Sequence, residues 1–134
     1  MKNELPVYCW LRKEFNIHDK NVPMGALATI EQALYGLPVS ANQWRSTLAA
    51  TLRSFRFKAT RYNGDVWMRQ NSDLYDYIGT YTDDLLVVSK DPQSIIAQVE
   101  STYKLSGIGE PTFHLGCDYE KGQDGIWRMG IKHM

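Results

Sequence analysis

Two adjacent carboxylates, Asp83 and Asp84, lie in the run Tyr81-Thr82-Asp83-Asp84-Leu85-Leu86-Val87-Val88. Strand formers flank them on both sides, and no Gly, Asn or Pro marks a turn between. Side chains alternate along a strand, so an Asp pair in its middle would drive one charge into the core. A tight hairpin tip avoids that cost and lets both carboxylates approach one cation. Hard oxygen donors of this kind suit Mg²⁺, which keeps waters and takes one or two carboxylates together with substrate phosphates. Two such ions close together are the usual device for phosphoryl and nucleotidyl transfer. The plainer reading is an acidic surface turn.

Two further stretches could carry chemistry. Ala33-Leu34-Tyr35-Gly36-Leu37 precedes a helical pattern. A glycine there allows a ligand close to the backbone, and the helix N-terminus that follows favours anions. It also reads as a plain strand-to-helix turn. No acid lies between Gln32 and Gly64, whereas Arg45, Arg53, Arg56, Lys58 and Arg61 are basic. That suits a phosphate backbone or an ordinary solvated face. Phe113-His114-Leu115-Gly116-Cys117-Asp118-Tyr119 contains a histidine with no second His or Cys at metal-ligand spacing. Cys9 and Cys117 are the only cysteines, too few for a disulfide scaffold and wrongly spaced for structural zinc. They read as small buried thiols.

The elements that must position these residues follow from periodicity. Residues 7–11 and 26–31 read as strands, with loop over 14–25. Ala41, Trp44, Leu48, Leu52 and Phe55 form one apolar stripe, predicting a helix over 41–55 opened by a Ser40/Gln43 capping box. Strands are expected at 65–69, 75–81 and 85–89, with a polar turn at 70–73. The first face of 75–81 carries Tyr75, Tyr77, Gly79 and Tyr81. The 85–89 strand is apolar on both faces, which predicts a central position in a sheet. Asp91-Pro92 opens a second helix over 92–104 with Ile95, Ile96, Val99 and Tyr103 inward, ending at Ser106-Gly107. Strands at 113–119 and 126–130 make a hairpin. The expected fold is α+β: a mainly antiparallel sheet, two helices on one face packed through Trp44, Leu48, Leu52, Ile95, Ile96 and Val99, and a C-terminal hairpin.

The 134 residues suggest a single domain over 1–134. Fifteen basic and 15 acidic residues give net charge +0, yet residues 1–70 hold ten of the bases and residues 71–134 ten of the acids. A uniformly basic nucleic-acid binder is excluded, and a basic face opposite an acidic one is not. No apolar run approaches transmembrane length and Met1-Lys2-Asn3-Glu4 opens no signal peptide, so an intracellular place, cytoplasmic or nuclear, is expected. The abrupt start suggests a piece of a longer polyprotein.

Taken in order, Ala-Leu-Tyr-Gly-Leu at 33–37, Gln43-Trp44, Asp65-Val66-Trp67-Met68-Arg69, Tyr-Thr-Asp-Asp-Leu-Leu-Val at 81–87, and Leu115-Gly116 resemble the reverse transcriptase of copia-type retrotransposons over residues 7–130. The resemblance implies a polymerase palm in which Asp83 and Asp84 are catalytic carboxylates binding Mg²⁺ or Mn²⁺, with Asp83 the stronger candidate. By the same resemblance Thr82 would lie beneath the primer terminus, where many members have Val. Tyr35 and Gly36 would lie along the incoming nucleotide, and His114, Leu115 and Gly116 resemble the primer-grip hairpin, here 113–130. Implied partners are an RNA or DNA template-primer and a deoxynucleoside triphosphate, with no membrane. Pro38 and Ala41 stand where the family often has a Lys-x-Ser-Pro-like run. The family's third metal-binding Asp has no match among Glu4, Glu14 and Asp19, the only acids in residues 1–30. Fingers, thumb, ribonuclease H and integrase portions have no counterpart either. The fragment is therefore expected to bind metal weakly and to be inactive in isolation.

A second class of reading is a non-catalytic nucleic-acid-binding module of RNA-recognition-like topology, using Tyr75, Tyr77 and Tyr81 as a stacking face. The Lys/Arg-Gly-Phe-type strand signature is missing, and burial under the helices is the blander fate of those tyrosines. A nucleotide cyclase is a third reading, without a Gly-Gly-acidic hairpin to support it. Paired acids at a hairpin tip favour the polymerase. Solvent-facing tyrosines with helices behind them favour RNA binding.

Overall fold

A computed structural model describes residues 2–12, 21–23, 25–32 and 38–131. Most of the expected 14–25 loop and all of Ala33 to Leu37 lie outside these residues. The chain forms two compact units, Met1–Arg56 and Phe57–Met134.

In the first unit, β1 (Lys2–Trp10) pairs antiparallel with β2 (Leu27–Gln32), in register from Val7↔Ile30 to Trp10↔Leu27. Helix α1 runs Pro38–Ser54. It starts earlier than expected because proline suits the first helical position, where its missing N–H costs nothing. Ser40 therefore sits inside the first turn rather than at the cap, and its buried Oγ has no hydrogen-bond partner among the described residues. The stripe is otherwise as expected: Leu48 and Leu52 are buried and Trp44 and Phe55 half-buried, though Ala41 is exposed. The helix ends where Arg56, at φ 68°, takes the left-handed conformation usually left to glycine.

In the second unit, β3 (Lys58–Ala59), β4 (Val66–Asn71), β5 (Leu74–Tyr81) and β6 (Asp84–Val88) form an antiparallel sheet in that order. The first is too short and polar to have been expected. Consecutive strands from β4 on are joined by two-residue loops, Ser72-Asp73 and Thr82-Asp83, each opening on a residue of positive φ (55° and 50°). Helix α2 (Pro92–Glu100) begins as predicted, with Asp91 Oδ1 accepting from Ser94 N at 3.2 Å, but stops short of 104. The helix touches β6, and it buries Ile95 and Val99.

Cross-strand partners share a face, so the registers assign two faces. Trp67, Asp76 and Ile78 point to the buried one, together with Arg69 opposite Asp76. Lys58, Met68, Tyr77 and Val88 cross the other in one row, flanked by Gln70, Tyr75, Gly79, Leu86, Tyr81 and Asp84. Tyr75, Tyr77 and Tyr81 are solvent-exposed there, not buried under helices.

A three-stranded antiparallel sheet follows: β7 (Phe113–His114), β8 (Cys117–Lys121) and β9 (Trp127–Gly130). The expected continuous strand over 113–119 is broken by a two-residue turn, with Leu115 at φ 53° and Gly116 at φ 77°. Positive φ at both central residues is what a mirror-image hairpin turn requires. The fold class is α+β and antiparallel as expected, with the strands among the described residues distributed over three sheets instead of one. A further expectation fails. Strand β6, apolar on both faces, lies at the edge of its sheet among the described residues, not in its centre.

Candidate functional site

The acidic pair sits where charge avoidance places it. Tyr81 and Asp84 close the β5–β6 hairpin as a directly opposed pair, and Thr82-Asp83 is the loop. Asp83 and Asp84 are both exposed, and neither carboxylate has a hydrogen-bond or ion-pair partner among the described residues. Asp84 shares the face of Tyr81 and the other tyrosines. Among the described residues no group of three or more His, Cys, Asp and Glu side chains could hold a metal ion. Two free, adjacent carboxylates fit Mg²⁺ or Mn²⁺ in donor type, as part of an octahedral shell completed by water or substrate oxygens.

Thr82 is the strained member of this turn. A β-branched residue at φ 50° is an outlier, since the left-handed region crowds Cβ against the backbone. Such strain is concentrated at functional sites. Thr82→Gly should therefore raise stability by about 0.5–1 kcal/mol, the relieved strain exceeding the entropy glycine loses on folding. The check is the urea midpoint, and a midpoint at or below that of the parent chain would show that the turn stores no strain.

The other expected site residues lie on other segments of the chain. Tyr35 and Gly36 lie outside the described residues. His114, half-buried, and exposed Leu115 and Gly116 form the β7–β8 turn on a separate sheet. The basic residues Arg45, Arg53, Arg56, Lys58 and Arg61 are all exposed. Cys9 and Cys117 are half-buried thiols.

A second carboxylate cluster was not anticipated. Asp76 is 2% exposed, and its Oδ2 accepts from Arg69 Nη2 at 2.9 Å and Nε at 3.3 Å. Its Oδ1 accepts from Ser89 Oγ at 2.6 Å, and Asn71 Nδ2 donates to Oδ2 at 3.3 Å. Ser89 Oγ in turn accepts from Asp91 N at 3.0 Å, and Arg69 Nη1 donates to Gln98 Oε1 of α2 at 3.0 Å. Burial pushes the Asp76 carboxyl up. The hydrogen bonds from Ser89, Arg69 and Asn71, with the Arg69 charge, outweigh it and hold the group below its ordinary range. With every oxygen engaged by side chains, Asp76 is a structural clamp between β4, β5 and the start of α2. The tip acids carry no such load.

Both features set out to discriminate the readings are present: paired acids at a hairpin tip, and exposed tyrosines with α2 behind them. Comparison with known families favours the first. Residues 4–132 match the family described as reverse transcriptase (RNA-dependent DNA polymerase). No curated protein and no solved structure matches the chain.

Proposed function

We propose, from the premise that the chain belongs to the reverse transcriptase (RNA-dependent DNA polymerase) family, that it is part of the palm of a copia-type enzyme and contributes two metal-binding carboxylates to nucleotidyl transfer. The observation that carries this reading is the placement of Asp83 and Asp84, exposed and free of internal partners, at the tip of a two-residue hairpin. Asp83 and Asp84 would hold Mg²⁺ or Mn²⁺. When bound, the ions neutralise phosphate charge and polarise the attacking and leaving oxygens. The chain's own task is positioning. The short loop keeps the two acids consecutive at the hairpin tip, and Tyr81 shares the face of Asp84. Thr82 underlies the primer terminus in this reading, Tyr35 and Gly36 flank the nucleotide, and His114, Leu115 and Gly116 guide the primer strand. The template-primer is RNA or DNA, the second substrate a deoxynucleoside triphosphate, and the working compartment cytoplasm or nucleus. No helix among the described residues is long and apolar enough to cross a membrane.

Residues 1–134 alone should bind the metal weakly and should not extend a primer. Two carboxylates fill only part of two octahedral shells, and Mg²⁺ surrenders its waters reluctantly. Positioning supplies most of the catalysis in this chemistry, and a third carboxylate and a fingers region are needed for it. The test has two arms. Titrating Mn²⁺ into the chain should broaden the amide signals of Thr82, Asp83 and Asp84 first, and Asp83→Asn should remove that broadening. Primer extension on an RNA template with Mg²⁺ or Mn²⁺ should give no product. Broadening centred elsewhere would overturn the metal assignment. Incorporation abolished by Asp83→Asn would show that these residues complete the site unaided.

A further inference from the structure

The loop between β3 and β4 holds Asn63, followed by Gly64, in a fixed backbone. Thr60 N donates to Val66 O at 2.8 Å and Val66 N to Asn63 O at 3.2 Å, which closes the loop. Thr60 Oγ1 donates to Asn63 O at 2.7 Å and accepts from Asn63 N at 3.3 Å. At the far end Asp65 O accepts from Thr80 N at 2.8 Å and from Thr80 Oγ1 at 3.1 Å, tying the loop to β5. Within this frame the side chain of Asn63 and the whole of Gly64 stay exposed. The Asn63 carboxamide makes an Asx turn, its Oδ1 accepting from Asp65 N at 2.9 Å. Its Nδ2 and the Gly64 N–H have no hydrogen-bond partner among the described residues.

We propose that Asn63 is a self-modification site, at which the chain turns its own carboxamide into a carboxylate through a cyclic imide, with water the co-reactant. This does not rest on the polymerase reading, and the reacting groups all lie in residues 63–65. Gly64 N gives its proton to solvent base and forms a bond to Asn63 Cγ. Negative charge collects on Oδ1, toward which the Asp65 N–H is aimed. A donor placed where charge develops is the device of an oxyanion hole. The Cγ–Nδ2 bond then breaks, and the nitrogen leaves as ammonia with a proton from solvent. Glycine at 64 has no Cβ to crowd the closing ring. Water opens the imide at either carbonyl. Breaking the new N–Cγ bond leaves aspartate at 63. Breaking the bond from that nitrogen to the original backbone carbonyl leaves isoaspartate, with the main chain longer by one carbon and no change in oxidation state. In the second product the carbonyl that Thr60 and Val66 hold becomes a free carboxylate, so the loop loses its closure.

The chain carries its own control. Asn71 precedes Ser72 and is also exposed, but it belongs to β4 and its Nδ2 donates to Asp76 Oδ2 at 3.3 Å. The experiment incubates residues 1–134 in mildly alkaline buffer and follows both asparagines by peptide mass spectrometry, with isoaspartate located by enzymatic methylation. Asn63 should convert at least about tenfold faster than Asn71, a smaller factor than one oxyanion donor supplies in an enzyme. The Val66 amide, deprived of its acceptor, should exchange faster with solvent in the isoaspartate fraction. Unfolding in urea should speed Asn71 by releasing it from Asp76, and should not speed Asn63. Gly64→Ala should suppress conversion at 63 and leave Asn71 as it was. Equal rates at Asn63 and Asn71 in the folded chain would overturn the proposal. So would a rise at Asn63 in urea as large as that at Asn71, since the folded loop would then be protecting the residue.

Discussion

Asp76→Ala is expected to lower the unfolding free energy by about 3 kcal/mol, the lower end of the range for breaking a buried ion pair, because Arg69 keeps 19% of its side chain exposed. The loss is not that of a single contact. Removing the carboxylate leaves the Arg69 guanidinium, the Ser89 hydroxyl and the Asn71 amide short of an acceptor in a site where Asp76 itself is 2% exposed. An uncompensated buried charge costs more than the intact pair contributes. The same carboxylate sets an acid dependence. Its folded-state pKa lies below the ordinary value, so its stabilisation is complete above the unfolded pKa of about 3.9 and is lost as pH falls through the folded value. Urea unfolding at pH 7 and at about pH 3 checks both claims, because Asp76→Ala should narrow the gap between the two conditions. A variant as stable as the parent, or one with the full acid loss, would assign the acid sensitivity to other carboxylates.

Most of the second unit was legible because its cues are local. Asp91-Pro92 opens α2, and alternation over Tyr75 to Tyr81 gives β5 its two faces. The acid pair could avoid burial only in a turn, and it does. The clamp was within reach as well. A two-residue loop at Ser72-Asp73 dictates that Arg69 faces Asp76, and Asp76 falls on the inward register once the tyrosines are assigned outward. Reading the turn as the four residues 70–73 hid that register. The edge position of β6 was not legible, because composition reports burial of faces and says nothing of which strands stand alongside. The break at Leu115-Gly116 was hidden by a leucine at φ 53°, where turn chemistry leads one to expect asparagine or glycine. Phe57 was missed for a similar reason: flanked by Arg56 and Lys58, it sits in a stretch that reads as a charged surface.

That phenylalanine should nevertheless be among the most costly to truncate. Phe57 is 1% exposed, and Phe57→Ala should cost about 3–5 kcal/mol as a cavity in the core of the second unit. Its ring also carries the Arg69 guanidinium, 4.4 Å from the centroid, the same group that bonds Asp76 at 2.9 Å. The ring thus holds the arginine from one side while the carboxylate holds it from another. Either deletion alone loosens the hold on Arg69, so the second has less left to break. The double variant Phe57→Ala/Asp76→Ala should accordingly lose less than the two single losses added, by about 1 kcal/mol, within the range for residues sharing one partner. Phe57→Leu separates the contributions, since it refills much of the cavity but offers no π face to the cation. It should recover most of the stability and abolish the coupling. Strict additivity of Phe57→Ala with Asp76→Ala would mean that the ring is only packing and that the clamp stands without it.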